Sequence, residues 1–105
     1  MSHAAPTPPI ILIVDDFDDA LDIYEQYLTF KGYHVITARS GPEAIDAARR
    51  HMPAVIFLDL SMAVMTGTEA MRVLRSDAAF SHVPIVVHGA RTAGREAHRA
   101  ARRFR

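Results

Sequence analysis

The chain has 105 residues, half of them apolar, which suits one globular domain and excludes a disordered chain. It has no cysteine, so disulfides and thiolate metal sites are excluded, and its apolar runs of about five residues fall far short of the ~20 that span a bilayer, so a cytoplasmic protein is the default. The formal net charge of zero conceals a split: residues 1–90 carry six Lys/Arg and eleven Asp/Glu, whereas residues 91–105 carry six Arg and one Glu.

Residues 1–9 hold three prolines and no apolar core of a signal peptide, and they read as a flexible leader. Ile10 to Val14 is a continuous apolar run suited to a strand buried on both faces. Asp18 or Asp19 is expected to cap the helix that follows. Ala20, Ile23, Tyr24, Tyr27 and Leu28 recur at helical spacing and predict its buried stripe. Lys31-Gly32 is a helix stop, and Tyr33 to Ala38 reads as a second strand. Ser40-Gly41-Pro42-Glu43 has the spacing of a capping box with proline in the first turn. Ala44, Ile45 and Ala48 give the second helix its apolar face, and Arg49-Arg50 before Pro53 mark its end. Ala54 to Leu60 is the third strand. Thr66-Gly67-Thr68-Glu69 repeats the capping-box spacing, with Ala70, Val73 and Leu74 lining a third helix. Pro84 opens a fourth strand, Ile85 to Val87. The alternation β-α-β-α-β-α-β predicts an α/β fold with a doubly wound parallel sheet.

The first strand runs into Asp15-Asp16 and the third into Asp59. In a sheet of order 2-1-3-4-5 these strands are neighbours, so three carboxylates converge at one rim, where such sheets bind ligands. Their repulsion calls for a cation, and Mg²⁺ prefers such hard oxygen ligands. The six histidines, His3, His34, His51, His82, His88 and His98, have no metal-site spacing. Met62 and Met65 flank the acidic loop and read as packing residues.

The runs Ile13-Val14-Asp15-Asp16 and Leu58-Asp59-Leu60-Ser61-Met62, with Gly67 eight residues after Asp59, resemble the receiver domain of bacterial two-component response regulators. Phe30-Lys31-Gly32-Tyr33 and Ala38-Arg39-Ser40-Gly41 fall where receivers end their first helix and start their second. The resemblance covers about residues 9 to 87, with the receiver domain itself read as residues 10–87. It implies a flavodoxin-like fold, with strand order 2-1-3-4 in this chain, and a signalling domain rather than an enzyme. It further implies that Asp59 accepts a phosphoryl group from a histidine kinase or phosphotransfer protein. Asp16, Asp59 and the backbone carbonyl of Ser61 would then hold Mg²⁺, with Asp15 acting through water or a hydrogen bond. A haloacid-dehalogenase type of phosphatase, which also uses a strand-end aspartate, would want Asp-x-Asp where this chain has Asp59-Leu60-Ser61.

The chain departs from the receiver pattern in three places. Ala63 stands where receivers usually carry proline. Gly89-Ala90 falls where they carry Ser or Thr and a small residue, with Thr92 three positions further on. The lysine that receivers place after a fifth strand has no counterpart, since the chain's one lysine is Lys31, and the usual fifth strand and fifth helix are missing from the pattern. Residues 88–105 form an atypical basic tail, read as helical or frayed, with Ala90, Ala93, Ala97, Ala100, Ala101 and Phe104 able to share one face. No interleaved aromatics support a nucleic-acid contact by its arginines. The abrupt change in texture predicts a frameshift near codons 86–88. An alternative reading therefore stands beside the phosphoacceptor: a degenerate receiver-like fragment, acting as an interaction module or inactive. With no fifth strand beside it, the fourth strand would be an apolar edge, which predicts self-association.

Overall fold

The computed structural model describes residues 7–60, 62 and 67–88, the last of these, His88, by its backbone alone. The elements follow the predicted alternation: β1 (Ile10–Val14), α1 (Asp18–Phe30), β2 (His34–Ala38), α2 (Gly41–His51), β3 (Val55–Asp59), α3 (Gly67–Arg75), a short 3₁₀ turn (Ala78–Phe80) and β4 (Ile85–His88). The four strands are parallel in the order β2-β1-β3-β4, as the sequence predicts. Parallel strands need crossovers, and here helices supply them on both faces. All strands therefore end at one rim, from which α1, α2 and α3 start.

Alternation along β1 divides the core into two layers. Leu12 and Val14 join Ile56 and Leu58 of β3 under α2 and α3, where Ala44, Ile45, Ala48, Ala70 and Leu74 are buried. Ile11 and Ile13 face the other way, against Leu21 and Leu28 of α1. Short side chains on α2 and α3 let both helices lie close to the sheet and to each other. Phe80, in the 3₁₀ turn, is fully buried in the larger layer.

Helix α1 differs from its sequence expectation in two respects. The residue preceding it is Phe17, which offers no side-chain cap, and Asp18 and Asp19 lie inside the first turn. There they still suit the helix dipole, while Asp18 is drawn outward to Arg39. The buried stripe is also turned: Leu21 and Leu28 face the sheet, leaving Ile23 and Tyr27 exposed and Tyr24 partly so. Leu21 and Leu28 are seven residues apart, two helical turns on one line, and meet the Ile11–Ile13 side of β1 directly.

The C-terminus of α1 explains why β2 starts at His34 and not Tyr33. Gly32 adopts φ +98°. Its N–H donates to the Thr29 carbonyl at 3.0 Å and the Tyr33 N–H to the Leu28 carbonyl at 3.1 Å. This is a Schellman closure, and it recruits Tyr33 into the helix end. Ser40 caps α2 as its spacing predicts, its hydroxyl accepting from the Glu43 N–H at 3.2 Å. The matching cap expected from Thr66, the basic tail from residue 89 onward and leader residues 1–6 lie outside the described residues.

Truncating Phe80 to alanine removes a fully buried ring and should cost about 3–5 kcal/mol. Phe30, which is 85% exposed, should tolerate the same change within about 0.5 kcal/mol. Urea denaturation of the two variants checks the contrast.

Candidate metal and phosphoacceptor site

The strand register fixes where the acids meet. Val14 pairs with Leu58 across β1 and β3, so Asp15, one residue on, comes level with Asp59 on the neighbouring strand. Neighbouring strands lie about 4.8 Å apart. Asp16 completes the group: Asp15, Asp16 and Asp59 each offer a carboxylate oxygen within 4.8 Å of the others. Asp59 is 2% exposed and Asp15 6%, while Asp16 is exposed. The expected convergence of the three is thus present.

Asp15 also shapes the loop that follows β1. Its N–H donates to the Ala38 carbonyl at 3.0 Å, carrying the β1–β2 ladder one step past the strand. Its Oδ1 accepts from the Phe17 N–H at 3.0 Å, closing the turn into α1. One oxygen of Asp15 is therefore engaged in shaping the loop.

Asp59 is held from the other side by α3. Gly67 opens that helix against the backbone of Asp59 and Leu60. A Cβ at Gly67 would stand 2.2 Å from the Asp59 carbonyl oxygen and 2.5 Å from the Leu60 Cα. Only glycine permits this approach. Met62, 3% exposed, anchors the loop after β3 in the larger core layer, as its reading as a packing residue anticipates. Ser61, the expected carbonyl ligand, and Gly89 and Thr92, at the expected hydroxyl position, lie outside the described residues.

The donor set suits a hard divalent cation. Three carboxylates crowded at one strand-end rim, two of them buried, repel one another unless positive charge joins them. Oxygen-only ligands favour Mg²⁺ or Ca²⁺ over thiolate-seeking metals, and the small number of carboxylates with an open side suits Mg²⁺, which retains waters. Sequence reasoning overlooked Arg39 at this rim. It follows β2 directly, and its guanidinium pairs with the Asp18 carboxylate. Its place between a strand end and the Ser40 cap was the available clue.

This fold and this site define a doubly wound α/β domain with an acidic pocket at its strand-end rim. A sequence model of the response regulator receiver domain matches residues 11–103, most of the chain. The chain belongs to that family. It is 30% identical over 79 residues to the polar-differentiation response regulator DivK of Brucella anthropi, covering 75% of this chain and 64% of that relative. With DivK of Brucella ovis the identity is 32% over 76 residues, covering 72% and 62%. The chain thus spans a little under two-thirds of the length of these relatives. Among solved structures, the chemotaxis protein CheY4 of Vibrio cholerae is similar with a TM-score of 0.75 and 28% identity, over 90% of this chain and 81% of that one. The receiver domain of the sensor histidine kinase PA1611 of Pseudomonas aeruginosa, described with a magnesium ion coordinated in its active-site cleft, gives 0.77 and 27%, over 89% and 75%.

Gly67→Ala should destabilise the domain by about 1–3 kcal/mol through overpacking and weaken Mg²⁺ binding by displacing Asp59. Gly32→Ala should cost about 1–2 kcal/mol through its left-handed backbone, with Mg²⁺ affinity unchanged, because a Cβ there meets open space. Calorimetric titration with Mg²⁺ and thermal melts of both variants check the distinction.

Proposed function

We propose that this domain accepts a phosphoryl group on Asp59 from the phosphohistidine of a histidine kinase or phosphotransfer protein. The observation that carries the reading is the packing of the Asp15, Asp16 and Asp59 carboxylates within 4.8 Å. Asp16 and Asp59, with the Ser61 carbonyl, would hold Mg²⁺, and Asp15 would act through water or its loop hydrogen bond. The bound cation would supply charge neutralisation between the acceptor and the transferring phosphoryl oxygens.

A carboxylate oxygen of Asp59 attacks phosphorus as the bond to the donor's imidazole nitrogen breaks. The imidazole leaves with the electron pair and the aspartyl phosphate remains. The protein's contribution is positioning. The β1–β3 register and the Gly67 contact hold Asp59, and exposed Asp16 marks the side from which the donor approaches. The acyl phosphate is a local charge change able to bias a two-state surface. The magnesium-bound receiver of PA1611 supports the cation assignment by likeness.

Among the described residues no helix is long and apolar enough to cross a membrane. The proposal places the domain in the cytoplasm with its phosphodonor. It retains the division into a leader over 1–9, a receiver domain over 10–87 and a basic tail over 88–105. Self-association through β4, an outer strand of the described sheet, belongs to the same proposal. The complete acid group supports the phosphoacceptor over the inactive-fragment alternative.

Incubation with Mg²⁺ and acetyl phosphate, followed by intact-mass measurement, tests the reading. The expected result is an adduct of ~80 Da, the mass of one transferred phosphoryl group, absent from Asp59→Asn and from protein treated with a chelator. An unmodified wild type, or an adduct retained in Asp59→Asn, would remove Asp59 from this role.

A further inference from the structure

The parallel topology sorts the charges of this domain by rim. The three site carboxylates share their rim with Asp18, Asp19, Glu43 and Glu69, all in first turns of helices. Lys31, Arg49, Arg50, Arg72 and Arg75 lie at helix C-terminal ends, on the opposite rim. Among the described residues, Arg39 is the one arginine or lysine on the acidic rim. His88, whose backbone pairs with Asp59, also reaches it.

An acidic rim poses a problem for the reaction proposed above. The phosphodonor is itself an anion, and it must approach seven carboxylates. A cation on the same rim offsets part of that repulsion. Arg39 stands next to the site through the sheet: Ala38 pairs with Val14, and the ladder continues from the Ala38 carbonyl to the Asp15 N–H. Its pairing with Asp18 keeps the guanidinium at the start of α1. The pair is 59% and 60% exposed, and such pairs contribute little to folding. A guanidinium has five N–H donors in a planar fork, and one carboxylate leaves several free for phosphoryl oxygens.

We infer that Arg39 is the donor-recognising residue of this domain, engaging the phosphoryl oxygens of the incoming donor beside Asp59. The inference rests on the phosphoacceptor reading and adds a role for a residue outside the acid group. Arg39 acts as a fixed positive charge and hydrogen-bond donor. It takes no proton and forms no bond to phosphorus.

The test compares wild type, Arg39→Ala and Arg50→Ala. Arg50 carries the same charge on the opposite rim, paired with Asp46 on the surface of α2. Rates of phosphorylation by acetyl phosphate are measured with saturating Mg²⁺ across a range of ionic strength, and Mg²⁺ affinity is measured separately. Arg39→Ala should slow phosphorylation about three- to tenfold at low ionic strength, with the deficit shrinking as salt is added. Its Mg²⁺ affinity should be unchanged or higher, because a cation near the metal site has been removed. Arg50→Ala should match wild type. Equal rates for wild type and Arg39→Ala would overturn the inference, as would equal slowing in both variants. So would a parallel loss of Mg²⁺ affinity in Arg39→Ala, which would mark a purely structural role. Absence of an adduct on wild type would instead overturn the phosphoacceptor reading, and this inference with it.

Discussion

Three carboxylates converge because two buried strands are locked in register. The pairing of Val14 with Leu58 leaves Asp15 and Asp59 no choice but to emerge side by side. A slip of one residue would turn every β1 side chain to the other layer, exchanging Leu12 and Val14 with Ile11 and Ile13. The two core layers differ in size and shape, so the hydrophobic packing holds the register. The energy that brings like charges together is thus supplied by apolar burial several residues away. A divalent cation bound there would offset that repulsion.

The remainder of the site is arranged around that convergence. Asp15 gives one oxygen to the Phe17 N–H, so the turn into α1 is shaped by a member of the acid group itself. Gly67 brings the start of α3 onto the Asp59 backbone from the other side. Asp59 is accordingly fixed by strand pairing and by helix contact together. Arg39, directly after β2, pairs with Asp18 on the same rim. Membership of the receiver family and the likeness to CheY4 agree with the observed strand order.

Much of this was legible in the residues. Continuous apolar runs ending in aspartate announced β1 and β3, and Ser40 three residues before Glu43 announced the start of α2. What escaped depended on contacts between elements. Periodicity shows which α1 residues share a face but not which face meets the sheet, and the stripe of Ala20, Ile23, Tyr24, Tyr27 and Leu28 was not the one chosen. The sheet chose the line of Leu21 and Leu28. Phe80 stood alone among small and polar residues, so no pattern marked it as core. Gly67 was noticed for its spacing from Asp59, while its physical reason, a backbone approach across a loop, is invisible in one dimension. The Arg39–Asp18 pair joins residues 21 positions apart and emerges only once β1 and β2 lie side by side.

Carboxylate repulsion at this rim opposes folding, and a bound divalent cation would relieve it. The measurement that decides this is the unfolding midpoint of wild type and Asp59→Asn, with and without Mg²⁺, at matched ionic strength set by NaCl. Mg²⁺ at ten times its dissociation constant should stabilise wild type by about 1.4 kcal/mol. Without Mg²⁺, Asp59→Asn should be the more stable protein, by on the order of 1–2 kcal/mol, and should respond only weakly to the ion. Equal effects of Mg²⁺ and NaCl on wild type, or an Asp59→Asn variant less stable than the metal-free wild type, would show that carboxylate repulsion relieved by a cation does not govern this rim.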